Sequence, residues 1–486
     1  MRKHWLRLGA LCLAVLMILP MTACTGGEDG GKNKGTAQAL DGETPRDLGG
    51  YEFVVYDYFT TRWEPEAGTA RNDTILKIIE DVENLYNCDI QFNELNVNEV
   101  LTKVQPEVLA GQKFADLVIA TQWAYGPLLG AGLMGDLNKV EGLDLSKEWW
   151  NQNFLKTMTI NGKILAGAGS FTSHTYLTWS CYFNKDIWQE LKLPDPYQMV
   201  RDGTWTYKKF AEYAKMAKLD KDGSGKVDSE SDRWGVVAPD GDYSRAAFLA
   251  MGGHFYSADE TGKPVLAANS NHAFEIVEFM RNMTVQDGSY GKVLSAGKAF
   301  SDIIGAFVDG KSLFICCSPG ESALKDMKSD FGILPQPKWD EEQESYIGMV
   351  DHNAPVFGIT STNSEGMSKM GYIMDALARR YQEVEELELQ DWADTVWRDD
   401  ESDEMVKTYI FHHGGYDLAT IAQNANDQLG VPMGTVNNAM FGSIVDYPST
   451  MEAVEPFLQA ALDEFIAGTE QAHDPNATTQ AADVAE

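Results

Sequence analysis

Strand-like and helix-like segments alternate through residues 51–133, and this alternation restricts the fold more than any other feature of the sequence. Runs rich in β-branched and aromatic residues predict strands, and apolar residues at helical spacing predict helices. The predicted strands are 51–56, 88–92 and 115–120, and the predicted helices are 75–85, 97–110 and 125–133. Short connections between such segments are typical of an α/β fold with a mostly parallel sheet covered on both faces.

Polar and aromatic residues follow two of these predicted strands. Asp57, Tyr58 and Thr60 come after the first strand, and Gln122 and Trp123 come after the third. Ligands of open parallel sheets bind beyond the carboxyl ends of the strands. These five residues are therefore predicted to line a ligand site, with packing in the core as the alternative for the two aromatic rings.

The N-terminal residues have the pattern of an export signal. Basic residues among the first seven positions precede an apolar run, 8–19, that is too short to span a bilayer. The Met-Thr-Ala sequence before Cys24 resembles the end of a bacterial lipoprotein signal, in which cleavage precedes a cysteine that becomes lipidated. We expect residues 1–23 to be a signal peptide and Cys24 to carry the lipid. The alternative is ordinary secretion with a buried or free Cys24.

Two segments contain too few large apolar residues to form a core. Residues 24–49 are predicted to be a flexible tether, and residues 468–486 a disordered tail. The whole chain contains 73 Asp and Glu and 39 Lys and Arg, for a formal net charge of −34. Most of the excess acidic residues lie in the body between these two segments. Such a surface repels phosphate backbones, so sequence-independent nucleic-acid binding is excluded and no nucleic-acid partner is expected.

Several motifs occur in an order that is similar to one family. They are the segments 182–188 (YFNKDIW), 193–197 (LPDPY), 203–206 (GTWT), 115–119 (ADLVI), 132–137 (GLMGDL), 252–253 (GG) and 331–335 (FGILP). Together they resemble bacterial extracellular solute-binding proteins, the lipid-anchored receptors of ABC importers, and especially their carbohydrate-binding group. Their order along the chain, more than any single motif, carries the resemblance.

The resemblance implies a two-lobe, periplasmic-binding-protein-like (type II) fold with a hinge between the lobes. The first lobe would comprise residues 50–168 and 348–390, and the second lobe residues 169–347 and 391–467. Closure of the lobes over a ligand would give the state that an importer recognises. The implied protein is a monomer, anchored by its N-terminal lipid on the extracytoplasmic face of the cell membrane, with the permease subunits of an ABC transporter as partners.

The chemistry of a sugar fits the residues that follow the strands. A pyranose has apolar faces that stack on aromatic rings and hydroxyl groups that need polar partners. In the second lobe and at the hinge, further residues with suitable side chains are candidates, with turn, cap or loop roles as the alternative. These further candidates are Ser170, His174, Tyr243, Arg245, Glu321 and Asp417.

An acidic loop at 220–232 predicts a separate calcium site. Oxygen ligands at alternating positions around a tight glycine turn match an EF-hand-like loop, although Ser231 stands where a bidentate Glu is usual. The predicted ligands are Asp220, Asp222, Ser224, the backbone carbonyl of Lys226, Asp228 and Asp232. Bound Ca²⁺ would be structural, and a solvated acidic turn is the alternative.

Catalysis is not expected, because the sequence lacks a recognisable nucleophile, zinc or phosphate-loop motif. The resemblance therefore favours a non-enzymatic receptor for a mono- or oligosaccharide. The alternatives are a receptor for a peptide or another polar solute, a secreted glycan-degrading enzyme, and an adhesion lipoprotein.

Overall fold

The structure is a computed structural model that describes residues 39–40, 43–172, 177–318 and 322–471. Its strands are β1 (Tyr51–Asp57), β2 (Cys88–Glu94), β3 (Leu117–Thr121), β4 (Thr159–Ile160), β5 (Lys163–Ile164), β6 (Ser180–Asn184), β7 (Trp234–Val237), β8 (Tyr256–Ala258), β9 (Pro264–Leu266), β10 (Ser312–Cys317), β11 (Phe331–Pro335), β12 (Gly348–Met349), β13 (Pro355–Gly358) and β14 (Gly414–Gly415). Its α-helices are α1 (Ala70–Tyr86), α2 (Val100–Leu109), α3 (Gln122–Gly130), α4 (Gln152–Thr157), α5 (Lys185–Glu190), α6 (Pro196–Arg201), α7 (Tyr207–Met216), α8 (Asp240–Ala250), α9 (Asn271–Arg281), α10 (Lys292–Ser295), α11 (Phe300–Val308), α12 (Met370–Thr395), α13 (Asp400–Met405), α14 (Leu418–Ala422), α15 (Val431–Met440) and α16 (Tyr447–Glu470).

Four strands form the first sheet, in the order β13-β3-β1-β2. Strand β1 runs parallel to β2 and β3, whereas β13 joins the edge antiparallel to β3. Every residue of β3 is buried, because α1 and α12 cover one face of the sheet and α2 and α3 cover the other. The predicted parallel sheet is confirmed, and we call this sheet with its helices the first lobe.

Helix α1 shows how local sequence sets the ends of these elements. The Thr69 hydroxyl caps the helix by accepting the backbone N–H of Asn72 at 3.1 Å. The helix ends at Asn87, whose φ of 45° lies in the left-handed region that asparagine tolerates. The apolar residues at helical spacing face the core, namely Ile75, Ile78, Val82 and Leu85.

A second sheet, in the order β11-β6-β10-β7, forms the centre of the second lobe. Strand β6 is antiparallel to both neighbours, and β10 is parallel to β7. All residues of β6, β10 and β11 are buried, with α11 among the helices that cover one face. The motif 182–188 thus spans the end of β6 and the start of α5, and its apolar residues are buried in this lobe.

The described connections between the two sheets include the segment before β6, the segment around β12 and helix α12. The segment before β6 pairs with the segment around β12, where the N–H of Trp179 donates to the carbonyl of Met349 at 2.8 Å. Strand β12 also pairs in parallel with β14. Helix α12 is a further connection, because its first turns pack in the first lobe against α1 and its end, from Leu389 onward, packs in the core of the second lobe.

The C-terminal helices contact both lobes. Helices α14 and α16 pack against α3 of the first lobe, whereas α15 packs against α8 and α9 of the second. The segment 391–467, predicted for the second lobe alone, therefore also covers the first lobe. Helix α16 continues to Glu470, so residues 468–470 do not belong to the predicted tail. Gly468 packs closely against the backbone of α3, because a Cβ atom on it would lie 1.9 Å from the Gly130 carbonyl oxygen. No helix in the described ranges is both long and apolar enough to cross a membrane.

The predicted tether, residues 24–49, also ends earlier than expected. The Glu43 carboxylate is 4 % exposed and forms an ion pair with the buried Arg380 guanidinium at 2.6 Å. Leu48 is buried, and its N–H donates to the Tyr86 carbonyl at 2.8 Å. Residues 43–49 are therefore part of the first lobe, because a side chain 337 residues away supplies the partner for Glu43. The signal peptide predicted at 1–23 and Cys24 lie outside the described residues.

Candidate functional site

Two aromatic residues at the ends of first-lobe strands meet the connection that follows β12. Tyr58 lies directly after β1, and its hydroxyl donates to the backbone carbonyl of Asn353 at 3.3 Å. Trp123, in the first turn of α3, donates from Nε1 to the side-chain oxygen of Asn353 at 3.2 Å. Both rings are partly exposed. The structure thus brings these two predicted residues together at Asn353. We call the surroundings of Tyr58, Trp123 and Asn353 the cleft.

Asp57 is not available to a ligand, in contrast to the prediction. Its carboxylate is completely buried and accepts from Arg62 Nε at 3.0 Å and Trp63 Nε1 at 2.8 Å. It also accepts the N–H of Phe59 at 3.0 Å, which closes the turn after β1. Asp57 therefore fixes the turn that presents Tyr58, while Thr60 begins a short 3₁₀ turn and is partly buried.

The Gln122 side chain does not line the cleft, but it holds the connecting segment beside α3. Its side chain is buried, and Nε2 donates to the Asp351 carbonyl at 2.9 Å. Its backbone N–H donates to the carbonyl of Ala354 at 3.1 Å. Both ends of Gln122 thus attach the start of α3 to the connecting segment, which explains why Trp123 lies beside Asn353.

Side chains of α8, in the second lobe, meet the connecting segment at His352. Arg245 contacts the carboxylate of Asp242 in the first turns of α8. His352 Nδ1 lies 3.9 Å from Asp242 Oδ1 and 3.6 Å from Asp351 Oδ1. That nitrogen is buried and has no hydrogen-bond partner among the described residues. These residues therefore offer carboxylates, a guanidinium and a ring nitrogen to a ligand that reaches them.

The connecting segment supplies site residues that the sequence did not identify. Asp351 accepts from Trp179 Nε1 at 3.0 Å and from the Asn353 side-chain amide at 2.8 Å. Asp351 and Asn353 belong to the predicted crossing at 348–354, but nothing in their local pattern indicated a site. Their signal was the crossing itself, because a segment that joins two lobes must pass beside the space between them.

The remaining sequence candidates have structural roles or lie outside the described residues. Tyr243 is completely buried and stacks on Tyr290 with 6.0 Å between ring centroids, so burial raises the pKa of its hydroxyl well above the usual value. Ser170 is buried against the Trp149 carbonyl, and Asp417 is 1 % exposed and caps α14. Tyr243, Ser170 and Asp417 were predicted as ligand contacts, but their side chains are enclosed. His174 and Glu321 lie outside the described residues.

The acidic loop brings three carboxylates together. Oxygen atoms of Asp220, Asp222 and Asp232 lie within 4.8 Å of one another. Asp232 is buried and accepts the backbone N–H groups of Ser229 and Lys221, each at 2.9 Å; these hydrogen bonds hold the pKa of its carboxyl well below the usual range. Asp232, the residue after the position where a Glu is usual, thus lies with the other two carboxylates.

The other predicted ligands of the loop differ in their placement. The Ser224 hydroxyl donates to the Lys226 carbonyl at 3.1 Å, so both oxygens face the same turn. The carboxylate of Asp228 is not one of the three grouped above, and the Asp228 backbone N–H donates to Asp232 at 3.1 Å. The three grouped carboxylates are oxygen ligands of the kind that a hard cation takes.

Solved structures of known proteins match this fold, whereas comparisons of sequence find no match. No family model matches the chain, and no curated protein matches its sequence. A family 1 extracellular solute-binding protein from Bifidobacterium longum subsp. infantis is similar over 85 % of this chain and 100 % of that chain, with 14 % identity and a TM-score of 0.56.

Two further structures have the same architecture. The cyclic alpha-maltosyl-1,6-maltose binding protein from Arthrobacter globiformis matches 85 % of this chain and 99 % of its own, with 14 % identity and a TM-score of 0.54. An ABC substrate-binding protein from Listeria monocytogenes, solved with cycloalternan, matches 85 % and 99 % with 12 % identity and a TM-score of 0.52. The chain therefore has the two-lobe α/β fold of the extracellular solute-binding proteins, as the sequence motifs predicted.

Proposed function

We propose that this protein is an extracytoplasmic receptor that captures a carbohydrate between its two lobes and delivers it to an ABC importer. The observation that carries the proposal is the pair of partly exposed rings, Tyr58 and Trp123, at strand ends of one lobe. They face the connecting segment at Asn353. Aromatic rings with a few directed polar groups are the arrangement that binds both the faces and the hydroxyl edges of a sugar.

Helix α8 and the connecting segment supply the polar partners. The carboxylates of Asp242 and Asp351 can accept hydrogen bonds from hydroxyl groups, and Arg245 can donate to a ring or hydroxyl oxygen. Asp240, two residues before Asp242 on α8, is partly buried, and this burial raises the pKa of its carboxyl. A sugar that contacts Trp123 in one lobe and Asp242 in the other would stabilise the closed arrangement, since a ligand favours the state in which it makes more contacts.

Structural neighbours support a role in transport and not in catalysis. The Listeria protein is an ABC substrate-binding protein in complex with cycloalternan, and the Arthrobacter protein is a cyclic alpha-maltosyl-1,6-maltose binding protein. We extend this role to the present chain, with permease subunits as the partners of the closed state. We further propose that Cys24 carries a lipid which holds the receptor at the extracytoplasmic face of the membrane, as the N-terminal pattern predicts.

A thermal-shift screen over mono- and oligosaccharides tests the proposed function. A bound sugar at about 100 times its dissociation constant adds about 2.7 kcal/mol to the free energy of unfolding. We expect at least one sugar to raise Tm by several degrees. A peptide that raises Tm when no sugar does would indicate the alternative receptor class, and release of sugar from a polysaccharide would indicate an enzyme.

We also propose that the acidic loop binds Ca²⁺ through Asp220, Asp222 and Asp232. Three carboxylates within 4.8 Å repel one another, and a divalent cation would compensate this repulsion. The ion would fix a loop whose backbone already turns around Asp220, which accepts the N–H groups of Gly223 and Gly225 at 2.7 Å each.

Calcium is expected to stabilise the chelator-treated protein. If the dissociation constant is about 0.1–1 mM, as in extracellular modules, 10 mM Ca²⁺ adds about 1.4–2.7 kcal/mol. The rise in Tm should disappear in Asp222→Asn and persist in Asp228→Asn, which carries the same charge change in the same loop. An equal rise with Mg²⁺, or no calorimetric heat on Ca²⁺ addition, would contradict the proposal.

A further inference from the structure

A cavity of about 450 Å³ is lined in part by connecting segments, at residues that do not line the cleft. One wall comes from α4 in the first lobe, and another comes from the hairpin β8–β9 that follows α8. Residues 345–347 and 413–416, which flank β12 and include β14, form the rest of the lining. None of the described cleft residues lines it. Its size is that of a site for a small organic molecule.

The charge of this cavity is opposite to that of the protein. Lys156, His254 and His413 line it, and no Asp or Glu is among its described lining residues. The whole chain has 73 Asp and Glu against 39 Lys and Arg and 8 His, so a lining with one Lys, two His and no acidic residue departs from the composition. A local positive potential inside an acidic surface concentrates anions at that place.

The basic groups are available for a ligand. Neither Lys156 nor His413 forms an ion pair with any residue in the described ranges. His254 Nδ1 lies 3.6 Å from the carboxylate of Asp417, and this partner raises the pKa of the imidazole. Asp417 itself is satisfied by backbone N–H groups, including those of Phe255 at 2.8 Å and Ala419 at 2.9 Å. Nε2 of His254 is therefore the ring nitrogen left for a ligand.

The rest of the lining is largely apolar. Tyr346, Ile347, Tyr416 and Leu418 lie beside the basic groups. An inorganic ion would leave this apolar surface in contact with water, whereas an anionic group on an aromatic or aliphatic body would cover it. We propose that this cavity is a second binding site, for a small organic anion in which a carboxylate or phosphate is attached to an apolar body.

An occupant of this site would contact the connecting segments. Residues 345–347 precede β12 and residues 413–416 contain β14, the pair that lies between the two sheets. Any change in the relative position of the lobes must alter these segments. Anion binding would consequently be linked to ligand binding in the cleft, and by thermodynamic reciprocity each would change the affinity for the other.

The test is a fluorine NMR titration of the purified full-length protein with 4-fluorobenzoate, 4-fluorophenyl phosphate and the neutral 4-fluorobenzyl alcohol. We expect the anions to bind at least tenfold more tightly than the alcohol. Tighter binding of the phosphate or of the carboxylate identifies the preferred anion, and either preference supports the site. Equal binding of the alcohol, or no binding of either anion at 10 mM, would overturn the proposal.

Variants locate the binding. Lys156→Gln, at an exposed position of α4, should weaken anion binding about tenfold, since a hydrogen bond to a charged group contributes about that factor. Lys139→Gln removes the same charge from an exposed position that does not line the cavity, and should leave the affinity unchanged. Equal weakening by the two lysine variants would overturn the assignment to this cavity.

Discussion

Arg380→Met is expected to lower the free energy of unfolding by about 3–5 kcal/mol, the cost of leaving buried carboxylates without their partner. The Arg380 guanidinium is 7 % exposed and contacts Glu43 at 2.6 Å and Asp81 at 3.1 Å. These partners come from the N-terminal segment and from α1, while Arg380 lies on α12. One side chain thus joins three parts of the first lobe. Chemical unfolding followed by tryptophan fluorescence measures the change.

Arg379→Met is the matched control for this prediction. Arg379 is the preceding residue of the same helix, and its guanidinium lies 5.3 Å from the ring centre of Trp149. Losing that contact should cost less than about 1 kcal/mol. A chain that begins at Gly50 should likewise melt below one that begins at Glu43, because only the longer chain retains the ion pair. Equal unfolding midpoints for the two arginine variants would show that the buried pair contributes little.

Trp123→Ala should weaken binding of the sugar identified in the thermal-shift screen by about 30-fold, or about 2 kcal/mol, as expected for a central aromatic contact. The substitution removes the ring face and also the hydrogen bond from Nε1 to Asn353. Trp123→Phe keeps a ring for stacking and should lose only a few-fold in affinity. Isothermal titration calorimetry measures both constants.

Trp392→Ala provides the control for removal of a large ring. Trp392 is a partly exposed residue near the end of α12, and it lies apart from the cleft beside Arg71 and Glu388. Its loss should leave sugar affinity within about twofold of the wild-type value, since no cleft contact is removed. Equal losses in the two tryptophan variants would argue that the effect of Trp123 arises from general destabilisation and not from stacking.

Local pattern predicted the elements of the first lobe and part of the cleft. Helical spacing from Ile75 to Leu85 and the apolar run of β3 depend only on near neighbours, so they are readable from the sequence. The same pattern placed Tyr58 and Trp123 at strand ends, and their contact with a ligand there stays a prediction. Asp57 is not such a contact, because Arg62 and Trp63 turn back and enclose its carboxylate.

The rest of the site depends on contacts between distant parts of the chain. Asn353 lies 230 residues from Trp123, and the sequence of the 348–354 crossing does not encode that contact locally. Tyr243 is an aromatic residue near a sheet edge, like Tyr58, but packing against Tyr290 places it in the core. A residue type therefore identifies what a side chain can bind, and its burial determines whether it can do so.

The sequence by itself determined the alternation of strands and helices, the two rings at strand ends and the composition of the acidic loop, since periodicity and turn chemistry are local properties. Only the tertiary structure decided that Glu43 belongs to the first lobe, that the Asp228 carboxylate is not grouped with those of Asp220, Asp222 and Asp232, and that basic residues meet in one cavity. Each of these depends on side chains that the folded chain brings together, and hydrophobic packing of whole elements, rather than local preference, sets those positions.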